Sequence, residues 1–296
     1  MAAAAYAVPH ASVALVTGGG RGVGRLLAQS LASTGAAVGL VARSGDELAD
    51  TARLIEATGG VASSAEADVG DAAATGEAIS QLRERLGPID LLVNNAGVSG
   101  PHGPAWEVDP DRWWRTVEVN LRGTFNCAGI VLPEMAARGR GRIVNITSHA
   151  GVFRWPTVSA YSVAKAAVVK FTENLAYETR RYGVSVFGVH PGLLPIGLSS
   201  EAALSGEPEN LYEARVRAWL RRQLDEGRGS DPARAADLVV RLASGRYDAL
   251  AGRQLSVDDD LDELLARIDE VRDRDLYVLG LQRLATRPRE GASGCT

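Results

Sequence analysis

The 296-residue chain carries 32 Lys and Arg against 36 Asp and Glu, a formal net charge of −4, and 46% of it is hydrophobic against 23% charged. This composition supplies apolar material for one large core and no overall electrostatic attraction for a phosphate backbone or an anionic membrane, so neither nucleic acid nor a membrane is expected as a partner. Two cysteines, Cys127 inside a helical stretch and Cys295 at the extreme tail, offer neither a disulfide framework nor metal-ligand spacing, which fits a reducing cytoplasm.

Residues 1–11 hold small apolar side chains without a basic start and are expected to form a frayed leader. Apolar runs and helical patterns then alternate: strand 13–17, helix 23–33, strand 38–42, helix 46–57, a weaker strand 61–67, helix 71–86, strand 89–93, helix 109–137, strand 143–148, helix 159–182, strand 184–189, helix 232–243 and a seventh strand at 253–257. Most of these strands are apolar on both faces and need cover on both sides, which predicts a parallel sheet of doubly wound βαβ units. No stretch reaches the ~18 uninterrupted apolar residues of a membrane span.

Two segments break the rhythm. Residues 193–229 carry Gly, Pro and Ser early, then turn helical with Tyr212 and Trp219, and are expected to form a lid over the sheet's carboxyl edge. Residues 258–284 read as a polar helix with an apolar stripe at Leu261, Leu264, Leu265, Ile268 and Val271, a packing or oligomer-contact element. Its acidic opening at Asp258, Asp259 and Asp260 suits the positive end of a helix dipole, and no metal is expected.

Thr17-Gly18-Gly19-Gly20-Arg21-Gly22-Val23-Gly24 lies between the first strand and the first helix. Gly18 can make the tight turn, Gly22 lets the backbone approach a pyrophosphate, and Gly24 lets the helix lie close to the sheet, with the helix amino end facing the anion. The second strand ends in Val41-Ala42-Arg43-Ser44, without the acid that would bind a ribose 2′-hydroxyl. Arg43, with Arg21, offers guanidinium groups to a 2′-phosphate, so NADP(H) is expected over NAD(H).

Tyr161 and Lys165 stand four apart on a helical segment and share a face. A phenol with an ordinary pKa near ~10 needs a nearby cation to exchange protons at neutral pH, and Lys165 supplies one. Ser148 is expected at the end of the fifth strand, thirteen residues before Tyr161, where its hydroxyl could hold a substrate carbonyl.

With Thr17–Gly24, Asp68-Val69, Asn94-Asn95-Ala96-Gly97, Asn120, Ser148, Tyr161 with Lys165 and Pro191-Gly192 in order, the chain from about residue 12 to 257 resembles the short-chain dehydrogenase/reductase family. The resemblance implies a single-domain α/β Rossmann fold, a doubly wound seven-stranded parallel sheet with helices on both faces. It implies that Tyr161 exchanges the proton with the substrate oxygen, that Lys165 lowers the Tyr161 pKa and binds the nicotinamide ribose, that Ser148 polarises the substrate oxygen and that Asn120 holds a water linked to Lys165. Asp68, with Val69, would contact the adenine and Asn94 would steady the sheet. The cofactor-binding set is then Gly18, Gly20, Arg21, Gly22, Val23, Gly24, Arg43, Asp68, Val69, Asn95, Ala96, Gly97, Tyr161, Lys165, Pro191 and Gly192. A homodimer or homotetramer through helices 109–137 and 159–182 is also implied.

The family commonly places Thr near position 196, where this chain has Ile196, so backbone groups or Ser199 would take over the carboxamide contact. His149 is expected to point away from Ser148, His190 to be structural, and His102 to border the pocket. Trp155, Leu198 and Trp219 are the expected substrate-binding residues, suited to an apolar or cyclic ketone. Arg154 reads as a solvated side chain that could also take an anionic group. Two other functions fit the same scaffold: a redox-neutral epimerase or dehydratase, and a non-catalytic NADP(H) sensor. The full set Asn120, Ser148, Tyr161 and Lys165 favours the enzyme, because these residues have one joint chemical use.

Overall fold

A computed structural model describes residues 12–281; the expected leader, Cys295 and the last three residues of the expected C-terminal helix lie outside them. Seven parallel strands form one sheet in the order β3-β2-β1-β4-β5-β6-β7. They are β1 Val13–Thr17, β2 Ala37–Ala42, β3 Val61–Glu66, β4 Ile89–Asn94, β5 Gly141–Ile146, β6 Val184–His190 and β7 Gln254–Ser256. Winding reverses between β1 and β4, and that switch point, at the carboxyl ends of the strands, is where a crevice opens in such sheets.

Side chains alternate across the sheet, as strand geometry requires. Ala14 and Val16 of β1 join a core with Leu27 and Leu31 of α1 (Gly22–Ser33), Leu48 and Ile55 of α2 (Gly45–Glu56), and Leu238 and Leu242 of the later helix Pro232–Ala243. Val13 and Leu15 face the other core, with Ile79 and Leu82 of α3 (Ala72–Leu86). Each fully buried Leu or Ile contributes roughly 1.5–3 kcal/mol. The edge strand β3 departs from the apolar pattern: Ser63 and Ser64 receive Arg85, and Val61 is exposed.

The expected helix 109–137 is divided. Pro110–Val117 (α4), capped by Asp109, and Gly123–Ala137 (α5) flank a π-helical turn, Glu118–Arg122. The Asn120 side-chain amide donates to the Thr116 carbonyl at 2.9 Å, four residues back, competing there with a backbone amide. Ser159–Thr179 (α6) ends three residues earlier than expected and passes into a 3-10 turn, closed by Gly183 at φ 68°.

Between β6 and β7, residues 193–229 contain Glu201–Ser205 (α7) and Leu211–Asp225 (α8), followed by Pro232–Ala243 (α9). Beyond β7 the expected single helix is two, Leu261–Ala266 (α10) and Ile268–Asp273 (α11), broken where Arg267 adopts φ −108°, ψ 28°. Leu261, Leu264 and Val271 nevertheless bury themselves in the α1/α9 core. The chain then runs along the outer edge of β7. The Gln254 amide donates to the Tyr277 carbonyl (2.8 Å), Arg253 donates to Leu276 O (2.8 Å), and the Leu279 amide donates to Glu173 on α6 (2.5 Å). Among the described residues no helix is long and apolar enough to cross a membrane.

Candidate active site

A cleft along the carboxyl ends of β1, β2, β4, β5 and β6 brings together all sixteen expected cofactor-binding residues and the four expected catalytic ones. At one end lies the glycine loop. Gly18 and Gly22 have φ of 64° and 54°, which a side chain would strain. A Cβ on Gly24 would stand 2.1 Å from the Gly18 carbonyl oxygen, so only glycine lets α1 start this close to the loop. Side chains cap the amides at the starts of α2, α3, α4, α9 and α10, whereas α1 has no side-chain cap and leaves its first amides facing the cleft. That cradle suits a pyrophosphate.

Asn95 fastens this loop to β4. Its Nδ2 donates to Thr17 O at 2.9 Å, while the amides of Asn95 and Ala96 donate to the Thr17 hydroxyl at 3.0 and 3.1 Å. Asn94 lies behind, in a buried polar chain: its amide donates to Asn145 Oδ1, and Asn145 donates to the Thr172 hydroxyl on α6, each at 2.9 Å. Gly97 must lack a side chain, since a Cβ there would sit 2.7 Å from Asn120 Oδ1.

Where β2 ends, Arg43 is exposed and its charge reaches Asp68. Arg21 instead leans on Glu47, 3.7 Å away, so the two arginines are not drawn to one point by a shared partner. Glu47, an unpredicted lining residue, places one carboxylate near this end of the cleft. Burial raises the Asp68 pKa, but the Gly70 amide, the Arg115 guanidinium and Arg43 outweigh it and hold the carboxyl below its usual range.

At the other end, β5 stops at Ile146, two residues before the expected strand end, and Ser148 caps a 3-10 turn (His149–Gly151), accepting from the Ala150 amide at 3.1 Å. The Ser148 hydroxyl is hydrogen-bonded to that of Tyr161. Lys165 Nζ is buried, donates to Ile146 O at 2.8 Å and lies 5.7 Å from the Tyr161 ring centre. Burial pushes the Tyr161 phenol up, opposed by its Ser148 hydrogen bond, and pushes the Lys165 ammonium down to about 8. The cation expected to depress the phenol thus stands close to it, while burial sets the net direction upward. Asn120 Nδ2 is spent on Val98 O and Thr116 O, both at 2.9 Å, whereas its buried Oδ1 has no partner.

Leu198 lines the cleft together with Leu194, Ile196 and Ser199, but Trp155 and Trp219 do not. These two indoles pack on each other instead, ring centres 5.3 Å apart, joining the loop after Ser148 to α8. His149 is exposed and, unlike Ser148, does not line the cleft, but its ring stacks at 3.7 Å on His190, which does. Burial and the His149 charge push His190 down to about 3. His102 lies on the loop that α8 grips, its carbonyl accepting from Asn210 at 3.1 Å. Cys127 is buried, its thiol pushed up to about 12 by burial. Among the described residues no group of three His, Cys, Asp or Glu side chains is placed to hold a metal.

The short chain dehydrogenase family matches residues 12–203. A short chain dehydrogenase of Monascus purpureus is 33% identical over 274 residues, covering 90% of this chain and 88% of its own. Two solved structures superpose at a TM-score of 0.75: an actinorhodin polyketide ketoreductase with NADPH (32% identical, covering 83% of this chain and 95% of its own) and an NAD+-bound xylitol dehydrogenase (26%, covering 83% and 97%). The chain belongs to the short-chain dehydrogenase/reductase family. It is an oxidoreductase of alcohols and their ketones that uses a nicotinamide cofactor.

Proposed function

We propose that the protein is an NADP(H)-dependent dehydrogenase/reductase of apolar or cyclic ketones and their secondary alcohols, with Tyr161 as general acid and base. The observation that carries this is the convergence of Tyr161, Ser148, Lys165 and Asn120 at one end of a cleft whose other end offers Arg43. The glycine loop and the uncapped amides of α1 would hold the pyrophosphate, Arg43 the 2′-phosphate, and Lys165 the nicotinamide ribose. The bound nicotinamide supplies or accepts the hydride.

Ser148 holds the substrate oxygen beside the Tyr161 hydroxyl. During reduction Tyr161 gives its proton to that oxygen, and during oxidation it takes one back. Lys165, fixed by Ile146 O, favours the phenolate that forms in the reductive direction. Asn120 Oδ1 is free to accept from a water that would return protons toward Lys165. Leu194, Ile196 and Leu198 give the substrate an apolar wall.

Residues 12–257 form the catalytic domain, 193–229 act as its lid, and α10 and α11 belong to an extension that begins at residue 258. A homodimer or homotetramer uses α5 and α6, where Phe125 packs on Phe171 at 6.0 Å and Tyr177 is exposed. Residence is cytoplasmic.

The test is a fluorescence titration with NADPH and NADH, followed by turnover at 340 nm on a ketone panel. NADPH should bind more tightly. Arg43→Gln should lose about 10- to 100-fold of that affinity, the span of one charge-assisted hydrogen bond. Tyr161→Phe should lose roughly 10²- to 10⁴-fold in turnover. Tighter NADH binding overturns the cofactor assignment, and binding without turnover in the wild type overturns the enzyme.

A further inference from the structure

The lid helix α8 meets the loop after Ser148 through the Trp155–Trp219 contact, and Trp219 remains 40% exposed. Arg215 and Arg222 stand four residues before and three after Trp219, so helical spacing places both beside that indole. Arg154 immediately precedes Trp155. All three arginines are exposed, and among the described residues none has a carboxylate or hydrogen-bond partner. Other arginines of the lid region are engaged: Arg217 with Glu213, Arg221 with Leu204 O, Arg228 with Glu226 and Arg112 with Glu209.

The group adjoins the catalytic end of the cleft. The 3-10 turn after Ser148 covers half of the six residues to Arg154, which limits the backbone separation to at most about 17 Å. Between them Phe153 is exposed and lies edge-on to His149, whose ring stacks on the cleft residue His190. Outward along this loop from Ser148 come exposed Phe153, then Arg154 and the indole pair, with Arg215 and Arg222 flanking Trp219 on α8 and Glu226 paired with Arg228.

We propose that Arg154, Arg215 and Arg222, around the Trp155–Trp219 pair, form a subsite for an anionic group at the end of the substrate remote from its carbonyl. The natural substrate is then a keto or hydroxy acid with an apolar middle. Guanidinium groups suit a carboxylate, and the indoles exclude water from one side of the contact. This subsite rests on the reductase reading only in placing the carbonyl near Tyr161.

The test measures binding apart from turnover. 4-(4-Oxocyclohexyl)benzoate and its methyl ester are titrated calorimetrically into the NADP+-loaded protein, and both are then assayed with NADPH. In the wild type the acid should bind at least tenfold more tightly than the ester. In the triple variant Arg154→Gln/Arg215→Gln/Arg222→Gln it should fall to the level of the ester. Equal binding of acid and ester by the wild type, or binding of neither, overturns the subsite, as does a gap that survives in the triple variant. A tenfold gap without turnover keeps the subsite and removes the reductase; turnover of both compounds with equal affinity does the reverse.

Discussion

Replacing His190 by Asn should change how the fold responds to acid. Burial, with the His149 charge behind it, holds the His190 pKa at about 3 against an ordinary 6.5, and its Nδ1 is buried without a partner. The folded imidazole therefore refuses a proton that the unfolded chain accepts. Stability is complete above pH 6.5, is lost as pH falls below it, and the loss levels off only below about 3. At pH 5.0 the loss from this one residue is about 2 kcal/mol relative to pH 7.5, at 1.36 kcal/mol per unit. Urea unfolding of wild type and His190→Asn at both pH values isolates it, because His149 titrates in each. The wild type should lose about 2 kcal/mol more than the variant between pH 7.5 and 5.0. Equal losses would refute the argument and mean that His190 takes up its proton in the native state.

Lys165→Met should shift the balance at the alkaline end: the buried ammonium is disfavoured below its folded pKa of about 8. That penalty, about 3 kcal/mol at 1.36 kcal/mol per unit, is relieved as pH rises from 8 to 10.5. Thermal unfolding should show wild type gaining on the variant over that window, and parallel curves would count against it. Gly24→Ala forces a Cβ to within 2.1 Å of Gly18 O and should cost ~1–3 kcal/mol in stability, with cofactor binding weakened further. Calorimetric titration with NADPH checks it, and unchanged affinity would show that α1 can move aside.

Helix α9 could be read from sequence to the residue, because Asp231 caps it, Pro232 opens it and the apolar period runs unbroken to Ala243. The glycine loop was equally open to reading, since its constraints are local to the backbone. The π turn at Asn120 was not, because it depends on one side chain taking a carbonyl from its own helix. Nor was the break at Arg267, where the apolar stripe continues across two short helices and hides the change of direction. In the site, Glu47 carries no local signal, because a carboxylate in the first turn of a helix also serves the helix dipole, although the first turn of α2 faces the same crevice. Trp155 and Trp219, expected to bind substrate, do not line the cleft, because they pack on each other, and no pattern in a single chain says that two indoles will do so.

The chain segment bonded along β7 bears on what the protein does when crowded or partly unfolded. An open sheet ordinarily leaves a strand at each side whose amides and carbonyls can template the addition of a foreign strand. Here one side is met at Gln254 by the polypeptide's own Tyr277, with Leu276 held by Arg253, and the other presents serines with Arg85 laid over them. Truncation before residue 276 would uncover β7, and the shortened protein should form aggregates under conditions in which the longer chain stays dispersed.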